Sequence, residues 1–154
     1  MSTVVPVNVG DVVTALIAQI ESHPAVADIN PTVERSQGTD DASRCPWVCV
    51  YRFGVRYLPR TLGAGAGFRR QEIDLAIAVQ HTDATSGEEC EDKLEALLQA
   101  VMGAILSDPT IAGTVQMLGE SIEVSYPDYQ MAEDQFMQTA LINFTAITAV
   151  SIGG

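Results

Sequence analysis

At 154 residues, with 47% hydrophobic and 18% charged residues, the chain suits one globular domain and excludes a disordered one. Its net charge of −12 argues against broad binding to nucleic-acid phosphates or anionic membranes. Three cysteines, Cys45, Cys49 and Cys90, are too few for a disulfide framework, and with only His23 and His81 no zinc-ligand spacing is visible.

The charge is unevenly spread. Residues 1–34 carry four acids and no base, and residues 71–154 carry fourteen acids against Lys93. Residues 35–70 carry seven arginines against Asp40 and Asp41. Such a basic middle fits a surface that meets an acidic one, including one on another copy; scattered arginines that keep loops soluble fit it equally.

Val12, Val13, Leu16, Ile17 and Ile20 recur at helical spacing, with Asn8 placed to cap them and His23-Pro24 to stop them. A short strand is expected around Ala27–Val33, with Pro31 at an edge or bulge. Arg35–Arg44 is polar and reads as a loop, and Trp47–Phe53 is aromatic and β-branched, a strand. Cys45 and Cys49, four apart on or beside that strand, would be ~13 Å apart, too far to bridge. Gly54–Gly67 then carries Arg56, Tyr57, Pro59 and Arg60 before glycines at 63, 65 and 67. Phosphate-cradling glycine loops lead from a strand into a helix, whereas these lead into a strand, so a flexible hairpin arm is expected.

In Phe68–Val79, Ile73, Leu75, Ile77 and Val79 alternate with Glu72, Asp74, Ala76, Ala78 and Gln80, predicting a strand with one apolar and one open face. Gly87–Leu106 follows as a long helix whose stripe is Cys90, Leu94, Leu97, Leu98, Val101, Met102 and Ile105. Ser86 and Glu89 fit a reciprocal capping box, and Asp108-Pro109 ends the helix. Thr114–Ser125 reads as a strand whose apolar phase slips at Gly119, Tyr126–Tyr129 as a turn, and Asp134–Val150 as the last strand. The apolar run Phe136–Ile152 is broken by Gln138, Thr139, Asn143, Thr145 and Thr148, which makes it a buried strand rather than a membrane span. The expected fold is a single α+β domain over 1–154: an antiparallel or mixed sheet with two main helices on one face and a flexible arm at 54–67.

Groups for chemistry are sparse. No serine sits in a Gly-x-Ser-x-Gly elbow. His81 beside Asp83 could in principle do acid–base work, but a His–Asp neighbour at a strand end more often starts a solvated loop. Asp40-Asp41 and the acids of 88–92 lack metal-loop spacing. Arginines interleaved with Tyr51, Phe53 and Tyr57 superficially suit nucleic acid, which the overall charge opposes. The expectation is a non-enzyme without cofactor or metal. No charged-then-apolar leader opens the sequence, so a cytoplasmic product with reduced thiols is expected.

The run from Phe68 to Leu118, FRRQEIDLAIAVQHTDATSGEECEDKLEALLQAVMGAILSDPTIAGTVQML, resembles the tail-terminator (tail-completion) proteins of tailed bacteriophages. The shared arrangement is an arginine-led strand, an acidic-capped helix and the turn Leu106-Ser107-Asp108-Pro109-Thr110-Ile111-Ala112-Gly113 before the next strand. The first helix with its His23-Pro24 stop and the closing strand from Asp134 fall where that family would put them; the Arg35–Arg44 loop departs from the pattern. The resemblance implies a structural virion protein of the tail or neck, assembled in the host bacterial cytoplasm. Its subunits would form a six-membered ring on the head-proximal end of the tail tube, stopping tube growth and presenting the surface that joins the head–tail connector. Partners would be other copies, the tail tube protein and the connector protein; DNA would pass through the acidic ring without specific binding. Other readings are a different neck or head–tail joining component, or a small dimeric α+β ligand-binding or regulatory domain.

The candidate interface residues come from the basic middle: Arg52, Arg56, Tyr57, Arg60, Arg69 and Arg70. Arginine forks can pair bidentately with a neighbour's carboxylates and orient a closed ring. The 54–67 arm is expected to order against a neighbour or the tube, the alternative being an ordinary mobile hairpin tip.

Overall fold

The computed structural model describes residues 7–36, 44–58, 68–127, 130–132 and 135–151. Helix α1 (Val9–Ser22) starts where the Asn8 side-chain oxygen accepts from the Asp11 N–H, 3.2 Å, and buries Val12, Val13, Leu16 and Ile20. His23 takes an extended backbone and ends it. The next segment departs from the expected strand at Ala27–Val33. Pro24, with φ already helical and no N–H to lose, opens a second helix, α2 (Pro24–Ile29), which Asn30 closes in the left-handed region. The strand comes only afterwards, β1 (Thr32–Arg35).

Strand β2 (Trp47–Leu58) runs antiparallel to β3 (Phe68–Asp83), and β3 to β6 (Gln135–Ser151). The expected arm at 54–67 is thereby corrected at its base. Gly54–Leu58 belong to β2 and pair with Asp74–Arg70, because the chain absorbs Phe53 as a bulge and then resumes the ladder. The remainder of that arm, residues 59–67, and the heart of the polar loop, 37–43, lie outside the described residues.

Helix α3 (Gly87–Ser107) follows β3 after a tight turn. Ser86 Oγ accepts from the Glu89 N–H, 3.1 Å, but the returning half of the capping box is not made by Glu89. Asp83 takes it: its carboxylate accepts from the Thr85 and Ser86 N–H groups at 2.6 and 3.2 Å. At the other end Asp108 accepts from the Thr110 N–H, the Thr110 hydroxyl and the Ala112 N–H. The chain turns there through Ile111, Ala112 and Gly113, all with positive φ. This turn postpones the next strand, β4, to Met117–Ser125 rather than Thr114. Its register shifts between Leu118 and Ile122, around Gly119 as the apolar phase predicts. A short strand not foreseen from the sequence, β5 (Gln130–Ala132), pairs with the start of β6.

The six strands among the described residues form one mixed sheet in the order β1-β2-β3-β6-β4, with β5 beside β6 and β1 parallel to β2. The helices lie on one face, against Ile73, Leu75, Ile77 and Val79 of β3 and Ala140, Ile142, Phe144 and Ala146 of β6. Gln19 of α1 donates to the Ala104 and Asp108 carbonyls at the end of α3, 2.8 and 3.1 Å, a second donor beside the Ser107 hydroxyl and the Ile111 N–H that these carbonyls also accept. The opposite face is less open than its residues predict. Ala76, Ala78 and Gln80 are buried there, and Trp47, Cys49 and Ala78 cluster with Tyr51 and Leu141 beneath the Arg44 guanidinium, 4.7 Å from the Trp47 ring.

Candidate functional site

The sheet is longer than its helix layer. The 17 residues of β6 extend roughly 55 Å, whereas the 21 residues of α3 cover about 31 Å. The surplus lies where β2 ends and β3 begins, a limb formed by Arg52–Leu58 and their β3 partners. At its root the Gln71 amide pairs with one backbone unit. Its Oε1 accepts from the Val7 N–H, 2.9 Å, and its Nε2 donates to the Val7 carbonyl, 3.0 Å. Val7, just ahead of α1, is held there by both polar atoms of the Gln71 side chain.

Large apolar side chains stand in solvent on this limb: Phe53 is 58% exposed, Tyr57 53% and Leu58 40%. A strand edge of that composition is what natural sheets usually cover. Past β1, which pairs only with Trp47–Val50, no strand among the described residues lies along the outer edge of β2.

Of the residues selected from the sequence, Arg52, Arg56, Tyr57 and Arg70 meet on this limb and are exposed. Arg69 lies on β3 opposite Val150, and Arg60 is outside the described residues. Their charges are not equally available. Arg56 grips Asp74 through both nitrogens and reaches Glu72 at 3.5 Å, while Arg70 pairs with Glu72 at 3.1 Å. The Arg56 guanidinium, with help from the Thr145 hydroxyl, holds the Asp74 carboxyl below its ordinary range. The positive stretch in sequence is thus partly cancelled in space by the acids of β3, because antiparallel pairing sets Arg56 opposite Glu72. Arg52 is different: no carboxylate pairs with it among the described residues.

Arg35, which sequence reasoning passed over, stands beside Arg52. It donates to the Gly10 carbonyl and the Thr14 hydroxyl at 2.9 and 3.0 Å and has no carboxylate partner among the described residues. Arg35, Arg52, Tyr51 and Val13 line a small open cleft of about 220 Å³ just past the end of β1. Only the parallel pairing of β1 with β2 brings these two arginines together, and nothing in the local sequence around either signals it.

The groups that could serve chemistry are engaged elsewhere. Asp83, bonded first by Lys93 and then by the Thr85 N–H, is held down at about 2. Burial pushes the Cys49 thiol up to about 12, with Glu34 adding to the effect, and burial raises Cys90 as well. Burial likewise lowers His81, whose Nδ1 accepts from the Thr82 N–H. A larger open cleft, about 580 Å³, runs between α3 and the end of β4, lined by Glu91, Asp92, Glu95 and Tyr126, whose hydroxyl donates to Glu95. Among the described residues no three His, Cys, Asp or Glu are grouped to hold a metal ion, and no helix is long and apolar enough to cross a membrane. No model of a known protein family matches the sequence, and no curated protein matches it.

Proposed function

We propose that this chain is a ring-forming structural subunit of the tail-terminator kind, closing the head-proximal end of a phage tail tube and presenting the surface that joins the head. The observation that carries the reading is the limb: a sheet overhanging its helices, with Phe53, Tyr57 and Leu58 in solvent and, beside them, Arg52, which no carboxylate among the described residues pairs. Such a surface suits a protein partner better than a small ligand. The resemblance of Phe68–Leu118 to tail terminators supports the same reading, as does the commitment of Asp83, Cys49 and Cys90 to structural contacts. The ring takes other copies, the tail tube protein and the head–tail connector as partners, and works without catalysis, cofactor or metal. Its acidic bulk lets DNA pass without holding the phosphates.

Native mass spectrometry with negative-stain imaging tests this. The expected result is a closed ring of about six copies that stops polymerisation of purified tail tube protein. Compact dimers indifferent to tubes would sink the reading and favour a small binding domain.

A further inference from the structure

The sheet has two unlike edges. One is the outer side of β2 beyond β1, the other the outer side of β4, the last strand in the order. Strand β2 contains Arg52 and Arg56 and no acid; β4 contains Glu120 and Glu123 and no base. Both glutamates are exposed, and neither belongs to an ion pair among the described residues. Each edge also shows large apolar side chains to solvent, Phe53, Tyr57 and Leu58 on β2 and Met117, 54% exposed, on β4.

The strand directions are compatible. β2 is antiparallel to β3, β3 to β6 and β6 to β4, so β2 and β4 run in opposite directions within one subunit. A second copy set beside the first with its sheet continuing in the same sense therefore brings its β4 antiparallel to the first copy's β2. Antiparallel pairing is the more stable ladder and is the arrangement by which exposed edges recruit a strand.

We propose that copies of this chain join edge to edge, the β4 edge of one adding to the Arg52–Leu58 edge of the next, which no described strand pairs, with a glutamate of that β4 entering the Arg35–Arg52 cleft. The occupant is a second copy because the complementary charge, the missing backbone partners and the apolar fringe are all present on the opposite edge of the same sheet. Two different edges make a heterologous contact, which repeats until it closes. The cleft is incomplete without the neighbour: two arginines line it, and no carboxylate of the described residues lines it or pairs with either of them. Arg56 and Arg70 stay with Asp74 and Glu72 and set the limb's shape rather than its partner. This deepens the ring reading by assigning its junction.

The test compares the full chain with Arg52→Glu, with Glu120→Arg/Glu123→Arg, and with the combined charge-swapped chain, by sedimentation and imaging at matched salt. Circular dichroism melting first establishes that each variant folds. Each single-edge variant is expected to raise the concentration needed for assembly at least tenfold, and the combined chain to recover most of the loss. Mixing the two single-edge variants restores association as well, since each supplies the edge the other lacks. In the wild-type assembly, amide exchange should slow at least tenfold in Phe53–Leu58 and in β4. Rings that persist in both single-edge variants overturn the junction and leave the ring reading standing. Salt-sensitive open chains lost in both variants keep the junction and overturn the ring. An effect confined to one edge would mean like-with-like pairing and overturn the proposal, as would a wild-type chain that stays monomeric.

Discussion

Asp83 shows how one side chain can set a boundary between elements. It ends β3, caps the entry to α3 through the Thr85 and Ser86 N–H groups, and receives Lys93 from the next turn of the helix. Its folded pKa, about 2, lies below the unfolded value of about 3.9. The stability it contributes is therefore complete above about pH 4 and disappears as the pH falls toward about 2. Lys93 has the opposite sign: the Asp83 carboxylate raises it, so its contribution holds below its unfolded pKa and is lost as the pH rises through the raised one. Replacing Asp83 with Asn should flatten the acid limb of the melting temperature between pH 5 and pH 2.5 relative to wild type. The lowered Asp74 and Asp108 contribute equally to both proteins, so parallel curves would remove Asp83 from this role.

Helix α3 is the element on which the sheet depends. Leu94, Leu97, Leu98 and Val101 are buried against it, and Leu97 is fully enclosed. Truncating Leu97 to Ala should cost about 2–5 kcal/mol in chemical denaturation. The same change at exposed Leu106 should stay within about 0.5 kcal/mol. Equal effects would mean that the buried stripe is misassigned. That stripe was legible because its apolar spacing, from Cys90 to Ile105, runs over about four turns, and β3 and β6 because alternation persists through a long strand. The six residues of α2 offer too short a window for any period, and its decisive feature is a proline that reads as a stop but serves as a start. The far half of β2 was hidden by Gly54, where a bulge that continues the ladder has the same composition as a break. At the candidate site, Arg52, Arg56, Tyr57 and Arg70 were legible from charge and residue type. Which of them is neutralised was not, because that depends on cross-strand register with Glu72 and Asp74. Arg35 entered the site only through a parallel pairing that no local pattern encodes.

For the molecule as a whole, the charge of −12 acts against the contacts its edges invite. In the proposed assembly, copies would repel at long range while an Arg52–glutamate junction would attract at short range. Salt screens the first at distances beyond roughly 8 Å near physiological strength, and at higher concentration also weakens the exposed second. Assembly should therefore be weak near 0.01 M salt, strongest at intermediate salt and weaker again toward about 1 M, as sedimentation at fixed protein concentration would record. A steady rise up to about 1 M would mean that Phe53, Tyr57, Leu58 and Met117 hold the copies together and the arginines do not.

The place of β6 in the sheet has a consequence for the chain's birth. It is the last of the described elements in sequence, yet it lies inside the sheet between β3 and β4, and Phe68 is paired with Ser151. At translation rates of roughly 5–20 residues per second, β3 waits for its partner for several seconds after leaving the ribosome. During that time the β2–β3 hairpin can form, but the inner flank of β3 is bare and its apolar row has no complete floor beside it. Contacts so distant in sequence also make folding slow. The nascent chain is thus at its most adhesive before β6 has emerged, and the arrival of β6 between β3 and β4 is the event that closes the sheet and covers that flank.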